Sequence, residues 1–336
     1  MKKILSVLLS AMLVLGMLTG CAGNAAPAAA PAANTDAAKA TIADGEFTIA
    51  FCTWIGYAPL YIARDKGFFA EYGINPTLTI NEDESTYAAA MFSDSIQGLG
   101  QVLDREIISY ASGTPETILL AMDESSGGDG VIAAAEIQSV NDLAGKSVGL
   151  DTSSTAYFFF LTVLDKAGMT KDDVTIVDMD SDSTGPAFIA GEIDAAVTWE
   201  PFLSNAGERE GGHLLVDSSD YPGTIVDVLA VRQDLSAEAK QALANSWYDA
   251  VDYLAANPEE SMQIMAEGLE LSLEDIKAEM AGVTFYDRAG NAAFIDKSAE
   301  NNIYEVIARA EKFWMDEGII SESIDVDTFV SAEYFG

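Results

Sequence analysis

Histidine occurs once in this chain of 336 residues and cysteine twice, and lysine and arginine together number 17 against 54 acidic residues. Each scarcity closes off a class of function. The lone His213 lies in Glu210-Gly211-Gly212-His213, which reads as a loop. Neither a histidine-based triad nor a multi-histidine metal centre can be built from one such residue. Two cysteines provide no disulfide framework, and Cys52, at the end of an apolar run, reads as a small core residue. A formal charge of −37 repels nucleic acid and anionic lipid head groups, which disfavours both as direct partners. Most of these carboxylates are expected to solvate helix faces, so the charge alone says little about a ligand. No cofactor or metal is called for.

The chain opens with an address. Lys2 and Lys3 precede an uncharged stretch from Ile4 to Met17, shorter than the ~20 apolar residues of a membrane-spanning helix. It ends in Leu18-Thr19-Gly20-Cys21, which resembles the lipobox of bacterial lipoprotein signal peptides. The resemblance implies a signal peptide over 1–20, lipid on Cys21, and a chain anchored on the extracytoplasmic face of the cell membrane. Loss of Lys2 and Lys3 then takes the charge from −37 to about −39. The Ala/Pro/Asn/Thr-rich tract over 21–44 has nothing to bury and reads as a disordered tether.

Close to three hundred residues remain, enough for two medium α/β domains. With 49% of the chain apolar, composition supports a real core. Short apolar runs at Phe47–Phe51, Thr77–Ile80, Ile96–Leu103, Ile118–Met122 and Val131–Ala134 alternate with helical patterns, the first of which opens at Pro59. A second series runs Ser147–Leu150, Val174–Val177, Ala195–Trp199 and Val226–Val231, and everything beyond Ser236 looks helical. Strands separated by helices predict parallel sheets with helices on both faces.

The block Trp54-Ile55-Gly56-Tyr57-Ala58-Pro59-Leu60-Tyr61-Ile62-Ala63, followed by Lys66-Gly67-Phe68-Phe69 and Tyr72-Gly73-Ile74, is similar to the opening of the nitrate/sulfonate/taurine-type periplasmic binding proteins, a family that includes thiamine-precursor binders. Ile137 to Lys146, Gly191-Glu192-Ile193-Asp194-Ala195-Ala196 and Trp199-Glu200-Pro201 match it further along. The resemblance implies an α/β, two-lobed type II binding-protein fold with two hinge crossovers. One lobe would combine 45–130 with 228–336 and the other would be 131–227. It also implies a receptor that closes on a small solute and delivers it to an ABC transporter permease. A monomer is expected.

Candidate ligand contacts come from the same blocks. Trp54 and Tyr57 stand directly after the first strand, where the family places a ligand wall, and a flat ring can cover an apolar or cationic group. Thr152, Ser153, Ser154 and Thr155 stand at a helix start suited to an anionic group, although capping alone would explain one of them. Trp199 and Glu200 belong to the Trp-acid-Pro motif, whose acidic residue in the family often meets an amino group. Asp227 is an ionisable group in an apolar strand and needs a partner. Asp123, Ser125 and Asp129 fall in Asp123-Glu124-Ser125-Ser126-Gly127-Gly128-Asp129-Gly130, a tight polar turn that weakly echoes a calcium loop. Gly128 takes the sixth place, but Ala134 stands at the twelfth where a glutamate belongs.

The pocket segments contain no arginine, which favours a ligand with an amine or guanidinium group. Sulfonate, nitrate and a thiamine-pyrimidine precursor stay open, because hydroxyls and helix N–H groups hold anions without arginine. Two other classes are weighed. Pyrimidine-synthase-like enzymes share the two-lobed fold but depend on a site histidine, a cofactor lysine and a cysteine cluster. A non-transport surface lipoprotein would need no closed cleft. The chain is expected not to be an enzyme.

Overall fold

The computed structural model describes residues 47–200, 202–206 and 209–336; the expected signal peptide, Cys21 and tether lie outside them. Eleven strands are described, in chain order β1 (Thr48–Phe51), β2 (Thr77–Ile80), β3 (Gly98–Val102), β4 (Glu116–Ser125), β5 (Asp129–Ala133), β6 (Ser147–Leu150), β7 (Thr175–Asp178), β8 (Ala195–Trp199), β9 (His213–Asp217), β10 (Val226–Arg232) and β11 (Val283–Phe285). They form two sheets. The six-stranded sheet has the order β11-β4-β10-β3-β1-β2 and the five-stranded sheet β7-β6-β8-β5-β9. Among the described residues, no helix is long and apolar enough to cross a membrane.

The sheets are mixed rather than parallel. β1 pairs parallel with β2 and β3, and β6 with β7 and β8, as the strand–helix alternation predicts. β10 runs antiparallel to both β3 and β4, and β5 antiparallel to both β8 and β9. The reason is where these strands come from. β5 succeeds β4 after only three residues, and β10 succeeds β9; each arrives from the other sheet instead of from a helix laid across its own. The rule that fixes crossover direction within one sheet does not act on them.

Two further expectations are corrected. His213 opens β9 rather than sitting in a loop, because its strand pairs with Ala133 at the sheet edge. The region beyond Ser236 contains β11, whose half-exposed residues Val283–Phe285 add to the edge of β4.

The two crossings are tied to each other. Ser218 Oγ lies 2.8 Å from Ser125 Oγ and accepts the Gly127 N–H at 2.7 Å, while the Ser125 N–H donates to the Ile225 carbonyl. Apolar packing joins the sheets as well. The helix Thr155–Lys166 comes after β6 and presents Tyr157, Phe158, Phe159 and Phe160, all buried. Phe158 meets Phe313 and Trp314 of the helix Ile303–Asp316 at ring-centroid distances of 5.5 and 5.9 Å. One continuous core therefore contains Leu99 and Val228 of the first sheet together with Val148 and Val197 of the second.

The helix Leu103–Ala111 buries acids as well as Ile107. Asp104 and Glu106 are buried on it, and Glu116 at the start of β4 is fully buried beside them. Glu106 Oε2 and both Glu116 oxygens meet no hydrogen-bond donor. Burial pushes Asp104 up to about 7, and burial and mutual repulsion push Glu106 well above the carboxylate range. Glu116 rises with it, through burial.

This packing has two measurable consequences. Phe158→Ala should cost about 3–5 kcal/mol, read as a lower urea midpoint with unchanged slope; a loss under about 1 kcal/mol would mean the ring contact does not hold the sheets together. The raised acids hold protons in the folded chain that they release on unfolding. From the ordinary carboxylate range up towards neutrality the folded state binds more protons, so their contribution is full on the acid side and is lost as pH rises. The ligand-free protein should melt higher at pH 5.5 than at pH 8. Glu116→Gln should raise the melting temperature at pH 8 more than at pH 5.5, and an equal change at both would remove this pair from the explanation.

Candidate functional site

β1 is an apolar strand, with Ile49 and Phe51 wholly buried. It therefore ends at a fixed point, and the segment leaving it is aimed rather than loose. Cys52-Thr53-Trp54 leads into a short turn, Ile55–Tyr57, and then into a helix opened by Pro59. Gly56 is required in that turn, since an added Cβ would lie 2.0 Å from Asp123 Oδ2. Gly100 of β3 plays the same part for Tyr57, whose ring carbons would lie 2.7 Å from a Cβ there.

This turn faces a cavity of about 430 Å³, its open mouth included, with walls from both sheets. From the first sheet come Cys52, Trp54, Tyr57, Glu84, Val102 and Asp227; from the second come Asp129, Ser154, Thr155 and Trp199, with Ile225 between. Asp129 and Trp199 are paired across β5 and β8, which sets acid beside indole on one face. Among the described residues, no lysine, arginine or histidine lines the cavity.

Two aspartates line the cavity and a third stands behind them, all almost wholly out of water: Asp227 is 2% exposed and Asp129 4%, and Asp123 behind them is 0% exposed. Trp54 Nε1 donates to Asp123 Oδ1 at 3.0 Å, and the Tyr57 hydroxyl donates to Asp227 Oδ1. Burial pushes Asp129 up to about 7. Burial first, and then the neighbouring Asp123, pushes Asp227 far above the carboxylate range. Burial also raises Glu84, the Tyr57 hydroxyl and the Cys52 thiol, the last two further because acids lie close by. Each of these groups would be eased by a positive charge in the cavity.

The hydroxyl side of the cavity is a helix start. Ser154 caps the helix Thr155–Lys166, accepting the Ala156 N–H at 3.2 Å, and Thr155 Oγ1 donates to Asp104 Oδ1 at 2.9 Å. That bond links a helix of the second sheet to the first.

The structure thus brings Trp54, Tyr57, Asp129, Ser154, Trp199 and Asp227 to one cavity and leaves other expected contacts outside its lining. Asp123 stands behind Trp54, its Oδ2 without a donor, and Ser125 is spent on Ser218. Thr152 donates its N–H and hydroxyl to Asp178 at 3.0 and 2.7 Å, and Ser153 does the same towards Asp151. The backbone turn before the helix points these two hydroxyls away from the cavity. Glu200 accepts from the Ser204 N–H and hydroxyl at 3.1 and 2.8 Å, which makes it a helix-start carboxylate. The run Asp123–Gly130 forms the end of β4, a turn and the start of β5 rather than an ion-binding loop. Among the described residues, no group of three or more acidic, histidine or cysteine side chains is set to hold a metal ion.

Sequence reasoning did not reach Glu84, Val102 or Ile225, and it put Cys52 in the core. Of the four hydroxyls expected at the helix start, Ser154 and Thr155 line the cavity. Glu84 had no local signal, because Glu82-Asp83-Glu84 reads as a solvated acidic turn.

Comparison with known proteins agrees with this geometry. The chain is 27% identical over 224 residues to a binding protein of Brucella abortus (strain 2308), covering 65% of this chain and 69% of the relative. It is 26% identical over 220 residues to the taurine-binding periplasmic protein of Escherichia coli (strain K12), covering 63% of this chain and 67% of that one. The crystal structure of the periplasmic aliphatic sulphonate binding protein of Escherichia coli superposes with a TM-score of 0.70 at 15% identity, over 85% of this chain and 91% of that structure. The fold is therefore the two-sheet α/β fold of the periplasmic binding proteins. The profile of the NMT1/THI5 like family matches residues 54–261, from the cleft tryptophan through both crossings, and the chain belongs to that family.

Proposed function

We propose that this chain is the extracytoplasmic substrate-binding component of an ABC importer and that its cleft captures a small solute carrying a positively charged nitrogen group. One observation carries the ligand class: buried carboxyls and three aromatic rings line a cavity that holds no basic side chain. A cation placed there meets Asp129 and Asp227 through charge-assisted hydrogen bonds and lies against Trp54, Tyr57 or Trp199. The relatives, which are binding proteins, support the receptor class.

In this reading the two lobes, 45–130 with 228–336 and 131–227, close about the paired crossings and exclude water from the solute. Cys21 would carry the lipid, 21–44 would be the tether, and a membrane permease would receive the cargo. The chain releases its solute unchanged.

A zwitterion such as an aminosulfonate is the second reading. It is favoured by the taurine-binding relative and by Ser154 and Thr155, which stand at a helix start where an acidic end could rest while the amine meets the aspartates.

Calorimetry of the domain over guanidine, taurine, alkanesulfonates, nitrate and pyrimidine precursors tests both. Guanidine or taurine should bind at least tenfold more tightly than any plain anion. Asp129→Asn should weaken the nitrogen ligand by roughly 10- to 100-fold, the worth of a hydrogen bond to a charged group, whereas Glu200→Gln should change affinity less than about threefold. Tight binding of an alkanesulfonate or nitrate with none of guanidine or taurine would sink the cationic reading.

A further inference from the structure

Asp123 and Asp227 are more than neighbours in the cleft floor. They are register partners on β4 and β10, so their side chains leave the same face of the sheet with Cβ atoms about 5 Å apart. That register sets the two carboxyls against each other, and after burial the Asp123 charge is the next cause that raises Asp227. Only Asp227 lines the cavity; Asp123 lies one layer behind, held by the Trp54 indole on one oxygen and by no donor on the other. The titratable groups that face the pair are Asp129 on β5, Glu84 on the turn beyond β2, Glu124 on β4, Cys52, and the hydroxyls of Tyr57 and Tyr286. None is positive.

Two touching carboxyls cut off from water do not both ionise unless a cation joins them. Before a solute arrives the pair keeps one proton between the two oxygens. We propose that capture of a cationic solute expels the proton shared by Asp123 and Asp227, so that affinity rises with pH. The proton passes to solvent and the solute's charge takes its place. No bond of the solute is altered. Asp123 acts here as a positioning residue: it never touches the ligand, yet it sets the protonation of the carboxyl that does. The inference rests on the reading of the cleft as a site for a positive nitrogen group.

The probe is guanidinium, whose charge does not titrate in the working range. Base uptake in a pH-stat at pH 6.5, in weakly buffered solution free of amine buffers, counts the protons released per ligand bound. The wild-type domain should release between about half and one proton, and affinity should climb up to about tenfold per pH unit over the acid range. In Asp123→Asn the amide keeps an acceptor for Trp54 and donates to Asp227. Asp227 then loses the repulsion of Asp123 and gains a donor, so guanidinium should still bind, with proton release cut to less than half that of the wild type and a shallower pH profile. Binding by the wild type without proton release overturns the proposal while leaving the cation site standing. Undiminished release in Asp123→Asn also overturns it and assigns the proton to Asp129. Should that variant fail to fold, the wild-type proton count decides alone. Binding of an alkanesulfonate with no binding of guanidinium or taurine defeats the cation reading and this inference together.

Discussion

Carboxyl groups held out of water, with no basic side chain of the lining to answer them, are the constraint around which this protein is arranged. A lone buried carboxylate costs several kcal/mol, and here Asp123, Asp129 and Asp227 lie together where β4, β5 and β10 meet the cavity. The chain relieves part of that cost with neutral donors, the indole of Trp54 and the hydroxyl of Tyr57, while burial raises Asp129 and Asp227 and so favours their neutral forms. The remainder is an uncompensated field of one sign. A solute bearing positive nitrogen balances it, and a plain anion makes it worse.

The same constraint accounts for details that would otherwise look arbitrary. Gly56 is there because the turn after β1 must lie directly on the Asp123 carboxyl. Two rings reach the acids only because β1 is a buried strand whose end is fixed by its neighbours on both sides. Thr155 turns its hydroxyl to Asp104, another buried acid, and so connects the helix start of one sheet to the other. Thr152 and Ser153, three and two positions earlier, have carboxyl partners of their own at Asp178 and Asp151. Position along a turn, rather than residue type, decides which of these residues lines the cavity.

How far the site could be read in advance depended on whether its signal was local. Trp54 and Tyr57 were legible because they stand just past an apolar strand within a specific block, and Asp227 because an acid inside an apolar run demands a partner. Trp199 belonged to a short motif, and the adjoining Glu200 stands outside the cavity lining: the motif marks a strand end, and the carboxylate there accepts from Ser204 in the first turn of the next helix. Glu84 and Cys52 were hidden for the opposite reason. Each looks ordinary among its sequence neighbours and becomes part of the site only when distant strands come alongside.

Alternating strands and helices, the scarcity of histidine and basic residues, and the opening aromatic block were enough by themselves to determine the α/β class, to exclude histidine-based chemistry, and to point to the family. The first two are period and composition, the third is a resemblance to a known family, and all three are local. The direction of β5 and β10, the meeting of Asp123 with Asp227, and the walls of the cavity were decided only by tertiary structure. A strand that arrives from another sheet carries no mark of its direction in its own residues, and two acids far apart along the chain repel one another only after folding has removed the water between them.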